Sequence, residues 1–285
     1  MKFGLYGINT GVCSDPDAAL RVARAAEDAG FDSVWTAEHV VLPDPQVPPS
    51  PAPPHMKLLD PAVALAFIAA QTTTLRLATG IIILPQRNPV VLAKELASVD
   101  RLSKGRLIFG LGAGYLKPEF QAIGAPFGDR GRRTDEYIEA IVTLWTQDKP
   151  EYKGEYVAFA GIQSHPRPLQ SPHPPIVVGG MSPSALRRAA RYANGWYGFA
   201  LDLDASARAI EGLRAAEQRL DRDSSLGRLE ITVTPPPGKV DLDLVHRYAA
   251  LGVDRLVLLN PGRTAEDQIA AVARAESDLV RPLAE

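Results

Sequence analysis

The sequence has one cysteine, Cys13, among its 285 residues, so no disulfide can form within the chain. Such sparse cysteine favours a reducing compartment. Long apolar runs are also lacking: the longest, from Ala62 to Ala70, falls far short of the ~20 residues that span a bilayer. The opening stretch, "MKFGLYGINTG", holds too short an apolar run for a signal peptide. We therefore expect a cytoplasmic protein that does not contact a membrane.

The sequence also lacks a metal-binding motif and an excess of charge. The histidines form no H-x-H or H-E-x-x-H motif and no cluster with cysteine; they are His39, His55, His165, His173 and His246. We therefore predict no metal site, and a metal-dependent hydrolase is poorly supported. The formal net charge is −2, and the basic residues are scattered along predicted helices, which argues against a nucleic-acid partner.

What the sequence does have is a regular alternation of short apolar runs and stretches with helical periodicity. Strands are predicted at 2–7, 31–37, 75–85, 106–114, 175–180, 195–201, 228–235 and 254–262, and helices at 14–30, 60–73, 88–105, 133–147, 182–195, 204–220, 240–252 and 264–280. Eight β/α units in a chain of this length predict an α/β fold, the (β/α)8 TIM barrel. We expect a single domain over residues 1–285.

A doubly wound, Rossmann-type sheet is the competing architecture. Its best motif is "GLGAGY", residues 110–115, whose glycines are spaced G-x-G-x-G. The dinucleotide-binding fingerprint is G-x-G-x-x-G, so the spacing does not match. The predicted strands are also apolar almost throughout, as strands of a parallel barrel should be. The barrel is therefore favoured.

Two segments interrupt the alternation. Residues 41–59 include seven prolines, and residues 149–174 predict a short hairpin followed by an extended proline-rich passage. We place both as insertion loops at the C-terminal face of the barrel, where the active sites of this fold lie. They are either surface loops without chemistry or covers over a pocket, and the sequence leaves both readings open.

Glu38 and His39 form the most reactive pair in the sequence, directly after the second predicted strand. If the barrel is right, this strand end belongs to the catalytic face. Histidine gives or takes a proton near neutral pH, which suits a general acid or base. The alternative is that the pair only caps the strand or bonds to neighbouring helices. We predict a catalytic role for both residues.

Glycines accompany several other strand ends. Gly80 interrupts an otherwise strong strand, where glycine marks either a bulge, a close ligand approach or tight packing. Gly179 and Gly180 lead into a predicted helix start with Ser182 as its cap, and "GLGAGY" lies after the fourth strand. Free N–H groups at a helix N-terminus bind phosphate, so two glycine-containing strand ends on the same rim of the barrel favour a phosphorylated ligand. The alternative is that these glycines serve only tight turns.

Taken together, these residues resemble the bacterial luciferase-like monooxygenase superfamily, in its coenzyme F420-dependent oxidoreductase branch. The stretches that carry the resemblance lie in order over residues 1–200; they are "WTAEH", "DPAVALAFIAAQTTTLRLATGIIILPQRNPVVLAKELASVDRLSKGRLIFGLGAGY", "EFQAIGAPFGDRGRRTDEYIEAI", "PLQSPHPPIVVGG" and "ALRRAARYANGW". The last third of the chain matches only in pattern. Because that part helps to shape the substrate pocket, the substrate stays open.

The resemblance implies specific roles for the residues singled out above. The cofactor would be an 8-hydroxy-5-deazaflavin in the C-terminal mouth of the barrel, with His39 handling the proton. A non-proline cis peptide between Gly80 and Ile81 would form a bulge that backs the deazaflavin ring, beside Thr79. The residues that match the family's phosphate contacts are Gly112, Gly114 and Tyr115 after strand four, and Gly179, Gly180 and Met181 after strand five. Many relatives carry tryptophan at the position of Tyr115.

The activity that the resemblance implies is hydride transfer between the deazaflavin and a small organic substrate. Two alternatives stay open. One is an FMN-dependent monooxygenase that works with a separate reductase, and the other is a non-catalytic protein that binds a flavin or deazaflavin. Most relatives form dimers through barrel helices, so we expect a homodimer.

Overall fold

Eight parallel strands close into a barrel in the computed structural model, which describes residues 1–283. The third barrel strand is in two pieces, β3 and β4, and a separate hairpin adds β6 and β7. The strands are β1 (Lys2–Tyr6), β2 (Ser33–Trp35), β3 (Arg76–Ala78), β4 (Ile82–Ile83), β5 (Leu107–Gly112), β6 (Tyr152–Lys153), β7 (Ala158–Phe159), β8 (Ile176–Gly179), β9 (Gly195–Gly198), β10 (Glu230–Val233) and β11 (Arg255–Leu258).

The strand pairings confirm the predicted (β/α)8 barrel. β1 pairs in parallel with β2 on one side and with β11 on the other, where Lys2 lies opposite Arg255. Between these, the order runs β2, β3, β5, β8, β9 and β10, each parallel to its neighbour. β4 also pairs with β5, so the third strand resumes beyond the break at residues 79–81.

Helices surround the barrel and follow its strands. They are α1 (Pro16–Asp28), α2 (Pro61–Ala69), α3 (Pro89–Leu102), α4 (Lys117–Ala122), α5 (Arg130–Thr146), α6 (Pro183–Tyr192), α7 (Leu203–Leu220), α8 (Leu242–Ala250) and α9 (Ala265–Ala275). The short α4, which carries Pro118 in its first turn, was not predicted from the sequence. None of the helices within residues 1–283 is long and apolar enough to cross a membrane.

Local sequence signals explain where the helices begin. Asn88 caps α3 by accepting from the N–H groups of Val90 and Val91, and Pro89 occupies the first helical position. Ser182 caps α6 in the same way through the N–H of Ala185. The Ser182 cap was predicted from the sequence and is confirmed.

The barrel interior holds its own layer of side chains, apart from the larger core between strands and helices. This inner cluster takes residues from six strands: Trp35, Ala78, Ile108, Val177, Tyr197 and Val257. Beneath it, the fully buried Arg255 pairs with Asp32 at 2.8 Å and with Glu230, and lies 5.7 Å from the Trp35 ring. The N-terminal end of the barrel is therefore closed by packed and paired side chains, as is typical of this fold.

The two insertions lie at different ends of the barrel. Residues 41–59 follow β2 at the C-terminal face, as predicted, and Leu58 returns to form a bridge with Thr10. Residues 149–174 connect α5 to β8, and they include the predicted hairpin, β6 and β7. The predicted position of this second insertion needs correction: the Gln170 side chain donates to the Leu107 carbonyl at the start of β5. An αβ connection returns the chain to the N-terminal end, so this passage does not cover the C-terminal mouth.

Candidate functional site

The end of β2 is fixed by Asn9, a fully buried residue from the segment after β1. The Asn9 side chain accepts from the Ala37 N–H at 2.8 Å and donates to the Ala37 carbonyl at 2.9 Å. It also donates to the Leu59 carbonyl at 2.6 Å, at the end of the proline-rich insertion. One amide therefore holds the backbone next to Glu38 and His39 and anchors the insertion beside it.

Glu38 is buried and links β2 to the third barrel strand. Its carboxylate accepts from the Ile83 N–H and from Arg87, whose Nε lies 2.9 Å from Oε1, and Arg87 also reaches Asp60 at 2.6 Å. Burial raises the pKa of Glu38, and the Arg87 guanidinium opposes that rise. Burial likewise acts to lower the pKa of Arg87, but Glu38 and Asp60 together outweigh it, and the pKa stands above its ordinary value. These contacts make Glu38 a support of the site, and its predicted catalytic role remains a prediction.

His39 follows at the mouth of the barrel, with 10% of its side chain exposed. Its Nδ1 lies 3.3 Å from Oε2 of Glu119, and its ring meets the Tyr115 ring edge-on at 6.0 Å between centroids. Glu119 is fully buried in α4 and also accepts from the Val40 N–H at 2.5 Å. The sequence analysis predicted His39 but missed Glu119. The sequence did contain one indication: Glu119 is the first residue of a stretch that carries the family resemblance, "EFQAIGAPFGDRGRRTDEYIEAI".

The break in the third strand contains the predicted bulge. The peptide bond between Gly80 and Ile81 is cis, as the resemblance implied. The Gly80 N–H points to the Thr36 hydroxyl at 3.3 Å, and a Cβ atom at Gly80 would stand 2.8 Å from the Thr36 carbonyl oxygen. The Thr79 hydroxyl donates to the Gly110 carbonyl at 2.7 Å and accepts from its N–H at 2.8 Å. The hydroxyl of Thr79 is thus already used in joining the bulge to β5.

The predicted phosphate-binding glycines form two groups, according to whether they pack against the Ile81 side chain. Gly112 and Gly179 are buried at the ends of β5 and β8, and Ile81 Cδ1 lies where a Cβ atom on either would stand. These two glycines therefore make room for the bulge. The other members, Gly114 and Gly180, lie further out along the rim and are not buried.

The outer rim has exposed backbone beside the N-terminus of a helix. Gly114 and Gly180 have φ values of 74° and 114°, in the region that favours glycine. Their carbonyls are held by Arg130, at 3.1 Å, and by the Trp196 indole, at 2.8 Å. Beyond Gly180, the α6 N-terminus is exposed. Pro183 has no N–H and the Ala185 N–H is taken by the Ser182 cap, so Ser184 is the first-turn residue whose N–H has no partner within the helix.

Aromatic side chains complete the mouth. Tyr115 and Phe199 are each about half exposed, and the Phe199 ring lies 4.9 Å from the Tyr6 ring at the end of β1. Burial raises the pKa of Tyr6, and the nearby Tyr115 raises it further. Burial also raises the pKa of Tyr115, with Glu119 adding to the effect. Both phenols are therefore neutral at physiological pH and can donate hydrogen bonds.

The described part of the chain, residues 1–283, holds no group of three or more His, Cys, Asp or Glu side chains that could bind a metal ion.

The candidate site consists of an imidazole beside a buried carboxylate, a bulged strand, an aromatic wall and a rim with an exposed helix N-terminus. Fold and site together define a TIM-barrel protein with a candidate site at the C-terminal ends of its strands.

The luciferase-like monooxygenase family model matches residues 4–238, and the chain belongs to that family. An uncharacterized protein of Mycobacterium tuberculosis is 33% identical over 290 residues, covering 98% of this chain and 99% of the relative. The FMNH2-dependent dimethylsulfone monooxygenase of Pseudomonas putida is 36% identical over 131 residues, covering 45% of this chain but 34% of that protein. Among solved structures, an F420-dependent secondary alcohol dehydrogenase in complex with an F420-acetone adduct matches with a TM-score of 0.80, 17% identity and 98% coverage of both chains.

These comparisons confirm the family predicted from the sequence and support an oxidoreductase. The similar proteins include both an F420-dependent and an FMNH2-dependent enzyme. The family therefore makes a flavin or deazaflavin the plausible type of cofactor without deciding between the two.

Proposed function

We propose that this chain is a coenzyme F420-dependent oxidoreductase that transfers a hydride between the deazaflavin and a small organic substrate. The observation that carries the proposal is the position of His39 at the barrel mouth, with Nδ1 toward the buried Glu119 and its ring beside Tyr115. Hydride transfer to a carbonyl, or from an alcohol, is coupled to proton transfer at the oxygen. An imidazole is the side chain best suited to move that proton near neutral pH.

Two features of the mouth support such a cofactor. The bulge at Gly80 and Ile81 would provide the wall behind the ring, and the rim formed by Gly114, Tyr115, Gly180 and Met181 would hold the phosphate-bearing tail. When bound there, the deazaflavin would supply a two-electron hydride carrier that does not readily activate oxygen. The buried Gly112 and Gly179 contribute by accommodating Ile81, which keeps the bulge in place.

The chain's own residues have distinct tasks in this proposal. His39 exchanges a proton with the substrate oxygen, in the direction that the hydride transfer requires. Asn9 and the Glu38–Arg87 pair fix the chain immediately before His39. The rings of Tyr6, Tyr115 and Phe199 would cover the reacting centre and exclude water.

The choice of F420 over FMN rests on the sequence resemblance to the F420-dependent branch, whose stretches lie in order over residues 1–200. The FMN-dependent monooxygenase remains the second candidate, because an FMNH2-dependent monooxygenase is 36% identical over 131 residues.

A binding experiment separates the two candidates. Purified protein is titrated with F420 and, in parallel, with FMN, and the change in cofactor fluorescence gives each dissociation constant. We expect tight binding of F420 and weak binding of FMN. Tight FMN binding without F420 binding would overturn the proposal in favour of the monooxygenase.

Turnover separates an enzyme from a protein that only binds the cofactor. F420-dependent oxidation or reduction of a panel of small alcohols, ketones and enones is followed by cofactor absorbance. His39→Ala should retain F420 binding and lose about 10²–10⁴-fold in rate. His246→Ala, at an exposed position on α8, is the matched control and should keep wild-type activity. Equal rates in wild type and His39→Ala would remove His39 from the mechanism, and binding without turnover would support the non-catalytic alternative.

A further inference from the structure

Glu119 holds two successive residues of the site with one carboxylate. Its Oε1 accepts from the Val40 N–H at 2.5 Å, and its Oε2 lies 3.3 Å from Nδ1 of His39. The Glu119 side chain is fully buried, so water does not compete for either oxygen. Val40 and His39 are neighbours in the chain, whereas Glu119 comes from a helix about 80 residues further on. The carboxylate therefore ties the His39 ring and its backbone to α4.

The chemistry of these partners restricts the histidine tautomer. A backbone N–H only donates, and an ionised carboxylate only accepts. An ionised Glu119 that accepts from Val40 can satisfy its second oxygen only if Nδ1 of His39 carries the hydrogen. In neutral imidazole one ring nitrogen carries a hydrogen and the other has a lone pair. With the hydrogen on Nδ1, the lone pair is on Nε2.

We propose that Glu119 is the positioning residue of His39: it holds the imidazole in its Nδ1–H tautomer and keeps Nε2 as the nitrogen that exchanges a proton with a bound molecule. The catalytic consequence rests on the function proposed above. The tautomer itself does not, because it is set by contacts within the free protein.

Glu119→Gln tests this assignment because it keeps the size of the side chain and changes only its hydrogen-bonding pattern. The carboxamide has one accepting oxygen and one donating NH2 group. The Val40 N–H can pair only with the oxygen, so the NH2 group is left facing Nδ1 of His39. Nδ1 must then accept, which moves the hydrogen to Nε2. The substitution is therefore expected to invert the tautomer rather than merely loosen the ring.

The measurement is nitrogen NMR on the full chain labelled with ¹⁵N-histidine, without cofactor. At about pH 8.5, two units above the ordinary imidazole pKa of ~6.5, two-bond couplings from the ring hydrogens distinguish the Nδ1–H from the Nε2–H form. The signal that disappears in His39→Gln is assigned to His39. We expect Nδ1–H in the wild type and Nε2–H in Glu119→Gln.

Asp100→Asn is the matched control. Asp100 is also a fully buried carboxylate, and it accepts from the N–H groups of Leu169 and Gln170 at 2.6 and 3.0 Å, away from the mouth. The Asp100→Asn substitution should lower the free energy of unfolding without changing the His39 tautomer.

If Glu119→Gln does not fold, the wild-type spectrum still decides, because Nε2–H or an even mixture there would overturn the proposal. Retention of Nδ1–H in a folded Glu119→Gln would overturn it as well.

Kinetics then separate a positioning role from a merely structural one. Once a substrate is known, Glu119→Gln should lower kcat by about 10²-fold or more while KM changes little, because the substrate still binds but the lone pair is on the wrong nitrogen. A structural role alone would leave kcat of the folded fraction unchanged. If the cofactor proves not to be F420, the NMR result stands, so the failure of one proposal is distinguishable from the failure of the other.

Discussion

The Cδ1 atom of Ile81 occupies the space that a Cβ atom on Gly112 would need. It also lies 2.7 Å from the position of a Cβ atom on Gly179. The bulge in the third strand therefore projects its side chain across the ends of β5 and β8. This contact gives both glycines a packing role, whether or not they also approach a phosphate group.

Gly112→Ala should consequently destabilise the protein by about 1–3 kcal/mol, the usual effect of an overpacked core. Ile81→Val removes the overlapping Cδ1 atom and should recover part of that loss in the double variant, although alone it costs about 0.5–1.5 kcal/mol. Urea denaturation of the four proteins in a double-mutant cycle measures the coupling.

Gly128→Ala is the control for this cycle, because no atom lies within 4 Å of its added Cβ position. It should leave stability nearly unchanged. If the effects of Gly112→Ala and Ile81→Val simply add, the packing explanation is wrong. Weaker cofactor binding by Gly112→Ala without any loss of stability would instead favour a direct phosphate contact.

Glu38→Gln tests whether Glu38 supports the site or takes part in the chemistry. The buried Glu38 pairs with Arg87, and Asp60 remains as a second partner of that guanidinium at 2.6 Å. We expect the unfolding free energy to fall by about 2–4 kcal/mol, toward the lower end for a broken buried pair because Asp60 stays. Glu155→Gln, in the exposed pair with Arg132, should change it by less than about 1 kcal/mol. A stable Glu38→Gln with strongly reduced turnover would restore the catalytic role.

The barrel and the location of Glu38 and His39 could be predicted because their signals are local. Alternating apolar runs, the Asn88–Pro89 helix start and the position of the pair after a strand all lie within short segments. The carboxylate that contacts His39 could not be found this way. Glu119 comes from a helix of six residues, and its burial depends on tertiary packing rather than on any periodicity.

The same limit applies to the other supports of the site. In the sequence, nothing distinguishes Arg87 from an ordinary surface cation or Asn9 from a turn residue. Only the folded chain brings Arg87 to Glu38 and Asn9 to Ala37. The glycines show the limit differently. Their positions at strand ends were visible in the sequence. The reason why Gly112 and Gly179 have no side chain was not visible, because Ile81, which fills the space of their Cβ atoms, comes from a different strand.

The predicted homodimer can be tested at the outer face of α2. This helix is apolar on all sides, with Val63 68% and Phe67 44% exposed, and Val91 of the neighbouring α3 is 55% exposed. We expect a second copy of the chain to cover this face, so Phe67→Asp should shift the protein from dimer to monomer in size-exclusion chromatography with light scattering. Leu102→Asp, at the far end of α3, is the exposed apolar control. A monomeric wild type would contradict the prediction.

Glu27 makes a pH-dependent contribution to stability at the turn before β3. Partial burial acts to raise its pKa, but the N–H groups of Thr73, Thr74 and Leu75 outweigh it and lower the pKa to about 2. A depressed pKa means that the stabilisation is full above the usual 4.5 and is lost as pH falls from there toward 2. Glu27→Gln should cost about 1–2 kcal/mol at pH 7, after discounting for solvent screening, and most of that cost should be gone at pH 2. Thermal unfolding from pH 7 to 2 measures this, with Asp28→Asn as the control. A cost that does not vary with pH would show that the charge is not responsible.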